Sequence, residues 1–569
     1  MSDRLDLSLI EKDLSRGPDG PVGPMRWLQA SHDDPTSFWR ALLVANGALF
    51  PWPGKSSLYR KYDFFHDIIA RNQQNPSPAF RWFQERTGWR ELGYRQLGRL
   101  AAERATHWAG QGAHAGQKLC LISYLNDQFL VSFLAALKIG LVVSLLPPSG
   151  RSFLRRRLEA VTPDFIWAEE EYVPLISEYH EMLLSDRASG RSTEDESRSH
   201  SYAAGKTFAL AFDPTTPTPH VPRELGSDTA YLCAMRDGMV ALGLKPGEGL
   251  AAPGLGIMET QPALLLACLL NGATFVHLDE STLAHKPKLL AEGRLRAVGV
   301  TDAVREMLLD GHVEVGKAWD FWFRDPAESQ DIEEWREFVK VLQLSDAFAG
   351  NLRWNASLGG CILFSIRRKG SPHPNMLPAA GVPWKLVDPA DDKRESLWGH
   401  GLFAVRPPEM EVEDGVVAGG MLAPRKHEWM FVRPVLSRRS GRCYPVQEVL
   451  EALLSLPFGA FCSMVEVPAS GAGNSSIFVL LVFVGGRKVN EAQLAEAIRK
   501  KVLRELGREF LPDRIQVLEL HPRRGQDGEI DHEWCGKEFL SGALSRRSRG
   551  EVTRCLTELR DLIHFSRTE

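Results

Sequence analysis

The sequence predicts an α/β fold with a large N-terminal part and a smaller α+β domain towards the C-terminus. Between residues 94 and 278, amphipathic helices alternate with apolar strands, an order typical of parallel sheets with crossover helices. After residue 475, a strand of β-branched and aromatic residues precedes one amphipathic helix. A chain of 569 residues is too long for one hydrophobic core, so about three or four structural units are expected.

Each element is predicted from its hydrophobic period and from the residues that start or stop it. Asn126 or Asp127 is expected to cap one helix, which ends at Gly140, and Gly110 and Gly507 are expected to end two others. The predicted helices are 63–71, 94–108, 127–139, 228–242, 261–270, 446–456 and 491–506. The predicted strands are 79–83, 89–92, 118–124, 141–146, 207–212, 273–278 and 476–484, and a turn at 87–88 joins the first two as a hairpin.

Three segments are predicted to lie outside this alternation. Residues 1–61 form an N-terminal extension whose aromatic residues, among them Phe38 and Trp39, are expected to pack on the rest of the chain. Residues 186–204 are small, polar and charged, which predicts a loop or a disordered insert. Residues 546–569 carry apolar positions at helical spacing, and a docking helix is favoured over a membrane anchor.

Composition excludes several classes of partner. The net charge is −4, from 68 basic and 72 acidic residues, so neither nucleic acid nor an anionic membrane is expected as a bulk partner. The N-terminus has no apolar signal core, and the apolar string 477–484 is too short to span a bilayer. The eight cysteines are scattered, which indicates free thiols and a cytoplasmic protein. No metal site is predicted, and the sequence DHEWC at 531–535 is interpreted as a solvated turn.

The order of several segments resembles one enzyme superfamily. The stretch 87–150 has an aromatic–Tyr–x–x–Leu start, a helix, a strand and a helix ending in Leu-Lys-x-Gly. Further matching segments follow at 210–254, 351–365, 381–410, 416–457 and 521–544. Over about residues 62–545 the chain is similar to the adenylate-forming acyl ligases, which include acyl-CoA synthetases, fatty-acyl-AMP ligases and non-ribosomal adenylation domains. The resemblance implies a large AMP-binding-like domain at 62–433 with α/β subdomains and a small barrel-like region, followed by a small mobile α+β domain at 434–545.

The phosphate loop of that superfamily, S-G-T-T-G-x-P-K, is matched only in part. Thr215 and Thr216 coincide with the family's threonines and are the residual nucleotide positions that the resemblance implies. The two glycines are replaced by Pro214 and Pro217, and the lysine is replaced by His220. Each proline removes a backbone N–H donor and fixes φ, so the loop has lost donors that a phosphate cradle uses.

A second motif, aromatic-Gly-x-Thr-Glu, resembles NLRWNASLGG at 351–360. The resemblance implies that Trp354 occupies the place of the adenine-stacking aromatic residue and that Ser357 replaces the phosphate-contacting threonine. A tryptophan at such a place is more often a packed core residue, and this interpretation of Trp354 is favoured over stacking on a purine. Leu358 replaces the glutamate that helps to hold Mg²⁺, and a leucine offers no hard oxygen ligand.

Two further positions differ in charge from the residues of the family. The family's ribose-binding aspartate corresponds to Gly420, and its catalytic lysine corresponds to Glu529. An anion in place of a cation reverses the sign of the charge beside the developing negative charges of adenylation. His220, Arg523 and Arg524 are the candidate catalytic cations if the activity is retained.

The helix start SGRCYPVQE at 440–448 resembles the fatty-acyl-AMP ligase version of this region. The match rests on Gly441, Arg442, Tyr444, Pro445 and Glu448. The segment 381–410 resembles the barrel-like region, with a hairpin turn expected at 388–393.

Three functions remain open from the sequence. The first is a degenerate homologue that makes no acyl-AMP and binds an acyl, aryl or carrier-linked ligand, or a partner enzyme, in a lipid- or polyketide-like pathway. It would need no cofactor. The second is an active AMP-forming ligase for an acyl or aryl carboxylate that uses ATP and Mg²⁺ with relocated cations. The third is another reaction in the same cleft, such as acyl transfer, for which no nucleophile-elbow motif is present.

Overall fold

The fold is described from a computed structural model. It describes residues 26–45, 61–185 and 198–544, except 217, 327, 329–331, 389–390, 397–400, 406–415, 426–427, 433–437, 440–441, 468–475, 486 and 526–527. The predicted tail and most of the predicted insert therefore lie outside the described residues. The architecture confirms the predicted α/β class, with a large N-terminal part followed by a smaller α+β domain.

The helices are named α1 onwards in chain order. They are α1 (Arg26–Asp33), α2 (Pro35–Ala45), α3 (Tyr94–Gly110), α4 (Asp127–Ile139), α5 (Arg151–Val161), α6 (Ser227–Arg236), α7 (Ile257–Thr260), α8 (Ala263–Leu269), α9 (Glu280–His285), α10 (Asp302–Asp310), α11 (Ile332–Val341), α12 (Val446–Leu453), α13 (Glu491–Glu505) and α14 (His532–Leu540). Two π-helical segments, His66–Ala70 and Asp237–Ala241, and several 3₁₀ segments complete the helical structure.

The strands are likewise numbered along the chain. Those of the N-terminal α/β part are β1 (Lys61–Tyr62), β2 (Pro78–Gln84), β3 (Gly88–Gly93), β4 (Lys118–Ile122), β5 (Val142–Leu146), β6 (Phe165–Ala168), β7 (Tyr202–Ala203), β8 (Thr207–Phe212), β9 (Pro222–Gly226), β10 (Gly249–Ala251), β11 (Thr274–His277), β12 (Leu295–Gly299), β13 (Trp319–Arg324) and β14 (Phe348–Asn355). The remaining strands are β15 (Gly360–Phe364), β16 (Arg368–Lys369), β17 (Asn375–Pro378), β18 (Trp384–Asp388), β19 (Asp391–Glu395), β20 (Gly401–Val405), β21 (Val416–Arg425), β22 (Glu428–Val432), β23 (Arg438–Arg439), β24 (Arg442–Cys443), β25 (Cys462–Val467), β26 (Ile477–Phe483) and β27 (Arg514–Leu518).

Two large sheets organise the N-terminal part. One has the order β6-β4-β5-β8-β9, with all but β9 parallel. The other has a parallel centre, β14-β13-β12-β10-β11-β2, which continues beyond β14 into antiparallel strands that include β17–β22. Strand β10 lies between β11 on one side and β12 on the other, so its carboxyl end is a topological switch point. Ligands of open α/β sheets bind outside the carboxyl ends of strands at such points.

The residues expected from the sequence to begin and end α4 are confirmed by the structure. The Asn126 side chain accepts a hydrogen bond from the Phe129 amide at 2.8 Å, as expected of an N-cap residue. Gly140 ends the same helix with φ of 93°, a conformation that glycine adopts without steric conflict. The hairpin of β2 and β3 and the antiparallel pairing of β18 with β19 were also predicted, although the tip at 389–390 lies outside the described residues.

The described part of the N-terminal extension packs into the main core. Phe38 and Trp39 on α2 are 5% and 1% exposed and pack close to Gly381, which follows β17. The Ser31 hydroxyl accepts a hydrogen bond from the Gly381 amide at 3.0 Å, and the His32 ring contacts the Ala379 carbonyl at 3.1 Å. The predicted packing of this aromatic arm is therefore confirmed for Phe38 and Trp39.

The C-terminal domain consists of the sheet β25-β26-β27 with helices on both faces. The face that carries α12 and α13 shares one hydrophobic cluster with α5, β4, β5 and β8 of the N-terminal part. Phe153 on α5 and Phe510 lie with ring centroids 5.7 Å apart. The Ser152 hydroxyl donates to the Glu505 carboxylate at 2.7 Å. The small domain is thus docked through both apolar and polar contacts.

Two sequence interpretations differ from the structure. The polar segment 186–204 is not a loop throughout, because Tyr202 and Ala203 form β7 opposite β1. Tyr202 is buried, donates to the Leu141 carbonyl at 2.9 Å and packs edge-on against Phe64. A single aromatic residue therefore anchors the end of a segment whose composition predicts disorder.

The stretch 531–535 is the start of α14 and not a solvated turn. The Asp531 carboxylate accepts from the Trp534 amide at 2.9 Å and caps the helix, while Cys535 is fully buried. The N-cap role of the aspartate was missed in the sequence because the acidic and histidine residues suggested ligand types instead.

Candidate functional site

A buried hydrogen-bond network joins the loop after β8 to the turn after β14. The Thr215 amide and hydroxyl both donate to one oxygen of the Asp213 carboxylate, at 2.8 Å and 2.6 Å. The Asn355 side-chain amide donates to the other Asp213 oxygen at 2.9 Å. All three side chains are buried. The carboxylate therefore fixes both segments, and it is satisfied without a ligand.

The same network includes the predicted phosphate-contacting residues. The Ser357 hydroxyl donates to the Asn355 side-chain oxygen at 2.8 Å, and the Thr216 hydroxyl donates to the Asp213 carbonyl at 3.0 Å. The structure thus brings Thr215, Thr216 and Ser357 into one network. Their hydroxyl protons are nevertheless donated within the protein, so these groups are not positioned as free donors to a phosphate.

The other predicted nucleotide contacts are packed in the interior. Trp354 is 4% exposed and belongs to the main hydrophobic core, which leaves little of its ring free for stacking on a purine. Leu358, which the resemblance aligns with a magnesium-binding glutamate, is 3% exposed in the same core. These two side chains contribute to packing energy and present no oxygen to a cation.

Gly420, which the resemblance aligns with a ribose-binding aspartate, has no space for a side chain. A Cβ atom there would lie 2.3 Å from Cε2 of the Phe431 ring, which comes from the adjacent strand β22. An aspartate at residue 420 would require this buried ring to move. The packing of β21 against β22 therefore leaves no room for an aspartate at this position.

His220 lies against the domain interface. Its Nδ1 atom is 3.8 Å from the Glu448 carboxylate on α12, whose other oxygen is 3.3 Å from Nη1 of Arg157 on α5. Arg157 and Glu448 are 1% and 4% exposed, and the Arg157 guanidinium also lies 3.6 Å from the centroid of the Phe153 ring. The structure thus places this candidate cation beside a buried interdomain ion pair, of which sequence reasoning missed Arg157.

Arg523, Arg524 and Glu529 lie on one exposed loop before α14. The Arg523 guanidinium is 3.6 Å from the Asp531 carboxylate, and Arg524 donates to the Gly528 carbonyl and lies over the Phe461 ring. These partners all belong to the C-terminal domain. In this arrangement the structure does not bring either arginine to the Thr215 network.

Charged side chains are also buried at the carboxyl ends of β12, β13 and β14. Arg324 is 2% exposed and donates to Asn351 at 3.0 Å, and Arg353 is 5% exposed and donates to Asp325 at 2.8 Å. The cluster further contains Asp302, Arg305 and Glu328. This charge pattern lies at the ends of strands next to the switch point at β10, where a ligand site is expected.

The Glu328 carboxylate accepts a hydrogen bond from the Asp302 amide at 3.0 Å. Burial and the nearby Asp302 carboxylate raise the pKa of Glu328 to about 8. Because the folded-state pKa lies above the value in an unfolded chain, protonation of Glu328 stabilises the fold. This contribution is complete below about pH 4.5 and is lost as the pH rises towards about 8.

Glu328→Gln is therefore expected to stabilise the chain at alkaline pH. The difference in Tm between variant and wild type should be small near about pH 4 and should grow towards about pH 9, one value below and one above the range in which this contribution is lost. Glu306→Gln, which changes an exposed carboxylate on α10, is the control and should show no such pH dependence. A Tm difference that stays constant between the two pH values would contradict the raised pKa.

Asp213, Asn355 and Arg353 are the site residues that sequence reasoning missed. Asp213 directly follows the apolar strand β8, and a carboxylate in that position is a signal that could have been used. The partners of Asp213 and Arg353 come from distant segments, so the sequence gives no direct indication of these pairs.

Within the described ranges, no group of three or more histidine, cysteine, aspartate or glutamate side chains could hold a metal ion. In the same part of the chain, every helix is too short or too polar to cross a membrane.

Comparisons with known proteins identify the fold. No family model and no curated protein matches the sequence. An acetoacetyl-CoA synthetase from Streptomyces lividans superimposes with a TM-score of 0.62 at 13% identity, covering 96% of this chain and 95% of that chain. A variant o-succinylbenzoate CoA synthetase from Bacillus subtilis, bound to a product analogue, gives 0.63 at 13% identity, covering 83% and 98%. The chain therefore has the fold of adenylate-forming acyl-CoA ligases.

Proposed function

We propose that this chain binds an acyl or aryl carboxylate in the cleft of an adenylate-forming ligase fold and does not convert it into an acyl adenylate. The main support is the buried Asp213 carboxylate, which accepts both donors of Thr215. A fixed negative charge in a phosphate loop repels nucleotide phosphates and takes up the hydroxyl that would bind them.

Three further positions support the same proposal. Phe431 fills the space of a side chain at Gly420, and Leu358 supplies no ligand for Mg²⁺. Glu529 places an anion where the superfamily has its catalytic lysine. Each change removes a separate part of the ATP chemistry, namely ribose binding, metal binding and charge stabilisation.

The two similar solved structures are those of enzymes named as acyl-CoA synthetases, and one holds a product analogue. Among the steps of that chemistry, binding of the carboxylate does not require the residues that are altered in this chain. An acyl carrier protein or a partner enzyme is the further partner that we propose, in a lipid- or polyketide-like pathway.

The alternative is an active ligase in which His220, Arg523 or Arg524 replaces the missing lysine. Its support is that the loop carrying both arginines is exposed, so a rotation of the C-terminal domain could carry them elsewhere. Under this alternative the chain would use ATP and Mg²⁺.

Wild-type protein is expected to show no acid-dependent exchange of pyrophosphate into ATP, and no ATP binding at millimolar nucleotide with Mg²⁺. The test uses a panel of fatty and aryl acids, with an active o-succinylbenzoate CoA synthetase as the positive control. Asp213→Ser is measured in parallel, because it removes the buried carboxylate. Exchange by the wild type that depends on one of the acids would refute the proposal, and His220→Ala and Arg523→Ala would then identify the cation.

A further inference from the structure

Arg353 lies where one strand continues beyond its neighbour. The last residue of β13, Arg324, pairs with Asn351, so β14 extends further and carries Arg353 past the end of β13. The strands are parallel here, and β12 and β10 follow on the same side. Arg353 is therefore at the carboxyl edge of the sheet, the same edge as the switch point, with β13 and β12 between its strand and β10.

The guanidinium of Arg353 is only partly satisfied. Nη1 donates to Asp325 at 2.8 Å, but Nε and Nη2 are buried and have no hydrogen-bond partner in the described part of the chain. The whole residue is 5% exposed. A charged donor that is shielded from water and unpaired destabilises the fold, so an arginine in this state indicates an absent oxygen partner.

The two unpaired nitrogens define the shape of that partner. Nε and Nη2 form the lateral edge of a guanidinium, and their N–H bonds are parallel and coplanar. A carboxylate presents two oxygens at matching spacing and accepts both bonds at once. Asp325 already accepts the hydrogen bond from Nη1 and so fixes the orientation of the guanidinium plane.

The surroundings of Arg353 combine an aromatic ring with a cluster of buried arginines and nearby carboxylates. The Phe431 ring lies 5.6 Å from the guanidinium carbon and also fills the position beside Gly420. Arg324 and Arg353 are both nearly inaccessible to solvent, whereas Asp325 is 17% exposed. An organic acid with an apolar body fits these neighbours better than a fully hydrated phosphate does.

We propose that Arg353 binds the carboxylate of an acyl or aryl acid through Nε and Nη2, with Asp325 as its positioning residue. The inference rests on the proposed function, because it assumes that the cleft takes an organic acid. It adds the group that recognises the acid and predicts selectivity for the ionised form over a neutral amide of the same shape.

The experiment compares two pairs of probes, octanoate with octanamide and benzoate with benzamide. Binding is measured by calorimetry and by saturation-transfer NMR on wild type, Arg353→Ala and Arg353→Lys. Arg353→Ala is expected to weaken carboxylate binding by about tenfold or more and to leave amide binding nearly unchanged. Arg353→Lys retains the charge without the planar fork, so its affinity should lie between the other two.

Arg294→Ala is the control, because this arginine is 77% exposed and pairs with Asp320 at the opposite end of β13. If Arg353→Ala does not fold, Arg353→Lys and the acid-to-amide ratio of the wild type still decide the question. Equal loss for acids and amides, or no loss for either, overturns the role of Arg353 alone. A wild type that binds none of the acids overturns the proposed function together with this inference. If the wild type does bind ATP, and Arg353→Ala loses that binding but keeps acid binding, the anion is a phosphate and the inference is overturned.

Discussion

Glu448→Ala is expected to lower the free energy of unfolding by about 3–5 kcal/mol, because it leaves the buried Arg157 cation without its partner. Both side chains are almost inaccessible to solvent, and they join α5 to α12 across the domain interface. In urea unfolding, this loss of stability should appear as a separate transition at a lower urea concentration than the main one.

Glu451→Ala is the matched control. Glu451 lies on the same helix and pairs with Arg156, the neighbour of Arg157, but it is 39% exposed. An exposed ion pair contributes about 1 kcal/mol or less, so the two variants should differ several-fold in their effect. Equal destabilisation by both would show that the interface is hydrated and that the Arg157–Glu448 pair is not buried in solution.

Gly150→Ala is expected to separate the two domains. A Cβ atom on Gly150 would lie 2.0 Å from the Glu505 carbonyl carbon and 2.2 Å from the Leu506 amide nitrogen. Backbone atoms cannot rotate away as a side chain can, so the helices α5 and α13 must move apart. We expect a larger radius of gyration in small-angle scattering and a loss of stability of about 1–3 kcal/mol.

Gly226→Ala provides the comparison for this variant. Gly226 precedes α6 with φ of −70° and ψ of 152°, close to the −80° and 169° of Gly150, and nothing lies within 4 Å of its added Cβ. It should therefore change neither size nor stability appreciably. If Gly150→Ala gives the same scattering curve as wild type, the close contact between the domains is absent in solution. The mobility of the small domain, implied by the family resemblance, is then the better description.

The fold was largely predictable because its signals are local. Asn126 and Gly140 bound α4 through contacts within a few residues, and the apolar strings of β5 and β8 need no knowledge of the rest of the chain. Tyr202 was missed because its partners, Phe64 and Leu141, are remote in sequence. The domain boundaries at 61–62, 433–434 and 545–546 remain predictions.

The contacts of the candidate site were not predictable from the sequence. The structure joins Thr215 to Ser357 through Asp213 and Asn355. The resemblance implies only that the positions of both residues contact phosphate. It could not show that a carboxylate takes up their hydrogen bonds, because Asp213 and Asn355 are 142 residues apart. Likewise, Arg157 and Glu448 are 291 residues apart, and only the docked domains make them a pair.

The packing of α2 against Gly381 has a consequence for the order in which the parts of the chain fold during synthesis. The Ser31–Gly381 hydrogen bond spans 350 residues. At synthesis rates of roughly 5–20 residues per second, the partner of α1 and α2 leaves the ribosome about 20 to 70 seconds after they do. Until then the segment on which Phe38 and Trp39 pack has not been synthesised. Contacts between residues so far apart in the sequence also form late in folding. The first described helices of the chain are thus among the last parts of the fold to reach their final place.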